Sequence, residues 1–88
     1  MELVYFRAPG CGVCHARAPV AEEIAREMRI PLSVHDLEEE EGRLRAGALR
    51  IRTVPTLALV DGPRVRFRLV GRMITPENVA RLTALTDR

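Results

Sequence analysis

Leu3 to Phe6 forms a short apolar run stopped by Ala8-Pro9-Gly10, the pattern of a buried strand that ends in a turn. The period then changes. From about Gly12 to Arg29, Ala16, Val20, Ile24 and Met28 recur at four-residue spacing, Ala21 and Ala25 widen the stripe, and Glu22, Glu23, Arg26, Glu27 and Arg29 take the polar side. This predicts a helix kinked at Pro19, because proline removes a backbone donor and clashes with the preceding turn. Pro31 marks the exit, and Leu32 to Leu37 reads as a second strand. Glu38 to Leu49 reads as a second helix. Its four leading glutamates suit an N-terminal turn, although Gly42 and Gly47 weaken it.

Thr56 to Val60 is a β-branched and apolar run closed by Asp61-Gly62-Pro63. After that turn Val65, Phe67 and Leu69 alternate with Arg64, Arg66 and Arg68, so the two runs predict a hairpin whose second strand has one solvated face. Thr75-Pro76-Glu77 is a helix cap with proline at the first helical position, and Val79, Leu82 and Leu85 carry the final helix. The order is strand, helix, strand, helix, strand, strand, helix. A strand-helix-strand unit pairs in parallel and a hairpin pairs antiparallel. The expected fold is therefore α/β, a mixed four-stranded sheet with three helices on both faces.

The chain has 88 residues, enough for a single domain over 1–88. Its 47% hydrophobic and 30% charged residues describe an ordinary globular protein. Net charge is only +2, all fourteen basic residues are arginine, and they are interspersed with glutamate. No basic footprint for nucleic acid results, and no apolar run approaches the length of a membrane span. Met1 runs directly into the first strand without the ordered segments of a secretion signal, so the expectation is a cytoplasmic protein. There a cysteine pair serves catalysis or metal binding more often than structure.

The chemistry concentrates in Cys11-Gly12-Val13-Cys14-His15. Two cysteines separated by two residues at a helix start can close a small disulfide ring, while the helix dipole favours a thiolate on the first sulfur. The same letters match covalent haem attachment, with His15 as an axial ligand, and His15 and His35 could add nitrogen ligands to a zinc or iron-sulfur site. Adjacent Cys14 and His15 do not naturally converge on one ion, and the expected fold offers no evident haem pocket. Read as bare sequence, the pair leaves dithiol, haem and metal open.

Taken with the strand order, these residues resemble the thioredoxin superfamily over nearly the whole chain. Val4 to Cys14 looks like that family's strand leading into its redox turn, Pro19 stands where its helix kinks, and Ile51-Arg52-Thr53-Val54-Pro55-Thr56 is similar to its loop with a cis proline. Gly71 falls where the family has a glycine after the hairpin. The resemblance implies a compact thioredoxin-like or glutaredoxin-like disulfide oxidoreductase without a cofactor or metal. Cys11 would be the nucleophile and Cys14 the resolving thiol. Thr53, Val54, Pro55 and Gly71 would hold a protein substrate, the Val54 backbone supplying a donor and an acceptor. A cluster-binding redoxin with the same cysteines is the alternative.

The chain also departs from that pattern. Tyr5 occupies the position of the buried aspartate that moves the inner cysteine's proton, so that role is missing or passes to water. Gly12 and Val13 stand between the cysteines, Val13 replacing a proline, and both modulate the pair. His15 either supports the thiolate or is solvated, and His35 reads as a strand-edge side chain. The segment Gly71-Arg72-Met73 carries a cation where glutaredoxins hold the amino group of glutathione with an acid. The expected electron source is therefore a thioredoxin-reductase-type enzyme or a partner dithiol, and the expected substrates are disulfide-containing proteins.

Overall fold

The computed structural model describes residues 1–86. Its elements run β1 (Glu2–Arg7), α1 (Gly12–Met28), β2 (Leu32–Asp36), α2 (Glu40–Ala48), β3 (Thr56–Asp61), β4 (Arg64–Val70) and α3 (Pro76–Thr86). A 3-10 turn, Gly71–Met73, precedes the last helix and has no counterpart in the sequence reading. The strands lie in the order β2-β1-β3-β4. β1 is parallel to β2, with Arg7 opposite Asp36, and antiparallel to β3, with Phe6 opposite Thr56. This is the expected mixed four-stranded sheet.

Leu3 to Phe6 are all buried, which explains a continuous apolar run in place of an alternating one: β1 is central and covered on both faces. Leu3, Tyr5, Leu57 and Leu59 pack with Ala21, Ile24 and Ala25 of α1 and Val79 of α3. On the other face Val4, Phe6, Ala58 and Val60 pack with Ala46 of α2 and with Leu49 and Ile51 beyond it. Each face thus has its own core.

Three side chains depart from the expected pattern. Val65, Phe67 and Leu69 do not share a face, because the β3–β4 register shifts between Leu59 and Val60. Leu59 pairs with Phe67 but Val60 pairs with Val65, so Arg66 is the extra residue of a bulge that flips the phase. Phe67 and Leu69 therefore join the α1/α3 core, and Val65 packs on the α2 side. Ala16 is exposed, and the buried positions of α1 are Cys14, Ala21, Ile24 and Ala25. Steps of four residues drift by about 40° each on an α-helix, so Ala16 lies roughly 120° around from Met28. Steps of three drift the other way by about 60° each, and Leu85 of α3 is left 61% exposed. The Thr75 cap forms as expected, its Oγ1 accepting from the Asn78 N–H at 3.1 Å.

α2 begins two residues later than its glutamates suggest. Asp36 captures the turn before it: its Oδ1 accepts from the Glu38 N–H at 2.8 Å and its carbonyl from the Glu39 N–H at 3.1 Å. α2 then crosses so near that a Cβ on Gly42 would stand 2.0 Å from the Asp36 carbonyl oxygen. The glycine that weakens the helix is what lets it dock.

α2 is also tied to the start of β1, where Glu2 accepts from Arg45 and from Ser33 Oγ at 2.8 Å. Arg45, and next the Ser33 hydroxyl, hold the Glu2 carboxyl below its ordinary value of 4.5. A depressed carboxyl contributes stability that is complete above that ordinary value and lost as pH falls through the folded one. We therefore expect melting curves of Glu2→Gln between pH 7 and 2 to show a smaller acid-side loss than the parent. An unchanged acid limb would contradict this.

Candidate functional site

Gly10, at φ +72°, turns the chain out of β1 in the left-handed region that favours glycine. Cys11 follows as the N-cap of α1, with extended backbone angles and its Sγ accepting from the Cys14 N–H at 3.1 Å. The first sulfur thus sits at the positive end of the helix, against an amide that has no helical partner. Cys11 and Cys14 are joined as a disulfide across a Cα separation of 5.2 Å. Their environments differ: Cys14 is 2% exposed, whereas Cys11 is half-buried. Gly12 is exposed and Val13 half-buried beside them.

Beneath the ring, Tyr5 is fully buried and donates its hydroxyl to the Cys14 carbonyl at 2.6 Å. Burial pushes the phenol above its ordinary value of 10.0, so it remains a protonated donor. Tyr5→Phe removes one buried hydrogen bond, and a loss of about 1 to 2 kcal/mol in unfolding free energy is expected. Denaturant titration checks it, and a change under about 0.3 kcal/mol would deny Tyr5 this role.

The second limb is the loop before β3. Val54-Pro55 is cis, as expected, with Pro55 buried, Val54 half-buried and Thr53 exposed. The pairing of Phe6 with Thr56 places this loop at the end of the sheet where β1 delivers Cys11. Gly71, at φ +60°, donates its N–H to the Pro55 carbonyl at 2.9 Å, so two of the expected binding residues are locked together. Thr56, which the sequence reading did not single out, is 1% exposed and donates its hydroxyl to the Thr53 carbonyl at 2.6 Å. Among the described residues the Val54 N–H and carbonyl make no hydrogen bond, and remain available to a bound chain. Arg17 ties α1 to this region through the Ile74 carbonyl at 3.2 Å, and Arg72 borders a groove with Gly12, Val13 and Arg17.

On the opposite side of the ring lies a cavity of about 280 Å³ that reaches Cys14. Arg7, Gly10, His15, Ala18 and Asp36 line it with Cys14. His15 is exposed at its rim. Asp36 was missed from sequence, although a parallel pairing of the first two strands is the signal that brings it beside Arg7. His35 is not at the site: it lies on edge strand β2, stacked on Phe6 with ring centres 5.7 Å apart. Among the described residues no three His, Cys, Asp or Glu side chains gather as a metal site would require.

A family model described as Thioredoxin matches residues 1–83. Thioredoxin 2 of Chlorobaculum tepidum is 34% identical over 79 residues, covering 90% of this chain and 71% of that protein. The bifunctional thioredoxin reductase/thioredoxin of Mycobacterium leprae is 39% identical over 69 residues, covering 78% of this chain but 15% of that protein. Among solved structures, thioredoxin 1 of Thermosipho africanus superposes with a TM-score of 0.78 at 23% identity, each chain covered in full. That likeness concerns the fold.

Proposed function

The chain belongs to the thioredoxin family, and from that premise we propose that its Cys-Gly-Val-Cys dithiol exchanges disulfides with protein substrates as a single-domain oxidoreductase. The carrying observation is the asymmetry of the pair, a half-buried Cys11 Sγ at the N-terminus of α1 bonded to a buried Cys14. In the reduced protein the Cys11 thiolate attacks one sulfur of a substrate disulfide. An S–S bond forms between protein and substrate, and the substrate's other sulfur leaves as a thiolate. Cys14, deprotonated, attacks Cys11 Sγ, closes the intramolecular disulfide and releases the second substrate thiol.

The free Val54 N–H and carbonyl support pairing with an extended substrate strand, with Gly71 bracing Pro55 behind it. The oxidised form is returned to dithiol by a thioredoxin-reductase-type flavoenzyme or a partner dithiol. Two observations support this source over glutathione. Arg72 is exposed next to Gly71, where it repels the ammonium of glutathione. One relative also bears the joint name thioredoxin reductase/thioredoxin. A reducing compartment such as the cytoplasm suits such a cycle, and no helix among the described residues is long and apolar enough to cross a membrane.

Coupled assays test the reading. We expect insulin-disulfide reduction with NADPH and thioredoxin reductase at a rate at least roughly tenfold above that with glutathione and its reductase, a difference of about 1.4 kcal/mol. Efficient turnover with glutathione alone would overturn the electron source. Absence of turnover with any donor would overturn the oxidoreductase assignment. The reduction potential of the pair then sets the direction: near about −270 mV it is a reductant, near about −120 mV an oxidant.

A further inference from the structure

Resolution of the mixed disulfide needs Cys14 as a thiolate, yet Cys14 is 2% exposed and Tyr5, below it, is a neutral donor turned to the Cys14 carbonyl. A cavity between the start of α1 and the ends of β1 and β2 reaches Cys14 and gives the proton a way out. At about 280 Å³ this space holds several water molecules, and polar groups line it. We propose that Asp36, at the end of β2, is the group that accepts the Cys14 proton through water in that cavity. The proposal rests on the dithiol exchange described above.

The placement of Asp36 follows from the sheet. It is the register partner of Arg7, and the parity of β2 sets it on the face of Leu32, the face that α1 covers. Its Oδ1 is engaged by the Glu38 N–H, which fixes the carboxylate and leaves Oδ2 free of any hydrogen bond among the described residues. The charged or titratable groups about it are few. Arg7 faces it from β1 and His15 from α1, Glu38 follows it in the turn, and Arg43 of α2 is held on the Glu38 carbonyl at 2.6 Å. Arg7 brings a positive charge to the lining of the same cavity. His15 is solvent-exposed at the rim of the cavity.

The step balances. The Cys14 S–H proton passes through water to the Asp36 carboxylate as Cys14 Sγ attacks Cys11 Sγ. The intramolecular S–S bond forms, the bond between Cys11 and the substrate breaks, and the substrate departs as a thiolate. The protonated carboxyl then gives its proton to solvent.

Asp36→Asn is the discriminating variant, since asparagine Oδ1 still accepts from the Glu38 N–H and preserves the turn. Reduced protein is mixed with dithiobis(nitrobenzoate), whose first thiolate release reports attack by Cys11 and whose second reports resolution by Cys14. For Asp36→Asn we expect an unchanged first phase. The second phase should slow roughly a hundredfold at pH 7, the low end of what a positioned base supplies. The defect should shrink as pH rises and more of the buried thiol ionises without a base. Asp36→Glu should restore part of the rate, and His15→Gln should resolve within about twofold of the parent. A second phase for Asp36→Asn within twofold of the parent from pH 6 to 9 overturns the proposal. So does an equal slowing at every pH, which marks a structural effect, or a larger loss in His15→Gln. Failure of the parent to reduce insulin would instead strike the oxidoreductase assignment, and leaves the two-phase comparison readable.

Discussion

Cys11→Ser is expected to lower insulin reduction below detection, a loss of at least roughly a thousandfold, because no other sulfur is placed to begin exchange. Cys14→Ser should behave differently. It keeps the nucleophile at the head of α1 but removes the group that releases the substrate, so the protein accumulates a mixed disulfide visible as a mass increase equal to the bound thiol less two hydrogens. The asymmetry comes from position within one helical turn. The Cys11 sulfur caps α1, accepts from the Cys14 amide and is partly open to solvent, whereas Cys14 lies beneath it at 2% exposure. A thiolate is favoured where the helix dipole is positive and disfavoured where it is desolvated. With the reduced protein at pH 6 to 7, an alkylating reagent should therefore label Cys11 first. Labelling of Cys14 alone would reverse both roles.

Much of this site was legible because its chemistry is local. Cys11 and Cys14 are three residues apart, and a glycine turn before a periodic helix is enough to place the first sulfur at the helix start. The cis Val54-Pro55 bond and its bracing by Gly71 came from resemblance and not from periodicity, since nothing in the dipeptide alone distinguishes the isomer. Asp36 was illegible for a different reason. It reads as one polar position in a strand, and only the parallel pairing of β1 with β2 reveals that it shares a cavity with Cys14. Tyr5 was noticed as a departure, but its hydrogen bond to the Cys14 carbonyl depends on how closely α1 lies on β1. Val65 shows the limit of alternation: one extra residue at Arg66 moves it to the other core, and a period-two pattern carries no mark of that bulge.

Gly42 and Gly47 look alike in the sequence, both as glycines that weaken α2, and the structure separates them completely. A methyl at Gly47 meets nothing within 4 Å, and the position is exposed. Gly47→Ala should therefore stabilise the protein by about 0.5 to 1 kcal/mol through helix propensity and a less flexible unfolded chain. The same change at Gly42 gains that term but drives a Cβ to 2.0 Å from the Asp36 carbonyl oxygen, which is backbone and has little freedom to move aside. Overpacking of this kind costs about 1 to 3 kcal/mol and occasionally more. Because α2 must retreat by about an ångström from a carbonyl that also caps the Glu39 amide, the cost should lie at the upper end and outweigh the gain. We expect Gly42→Ala to lower the unfolding free energy by roughly 2 kcal/mol. At about 4 to 8 °C per kcal/mol for a domain of this size, that is a fall in Tm of roughly 10 °C, while Gly47→Ala raises it by a few degrees. Opposite signs for one substitution in one helix cannot come from propensity. If both alanines stabilise, α2 does not dock on the Asp36 carbonyl as closely as described.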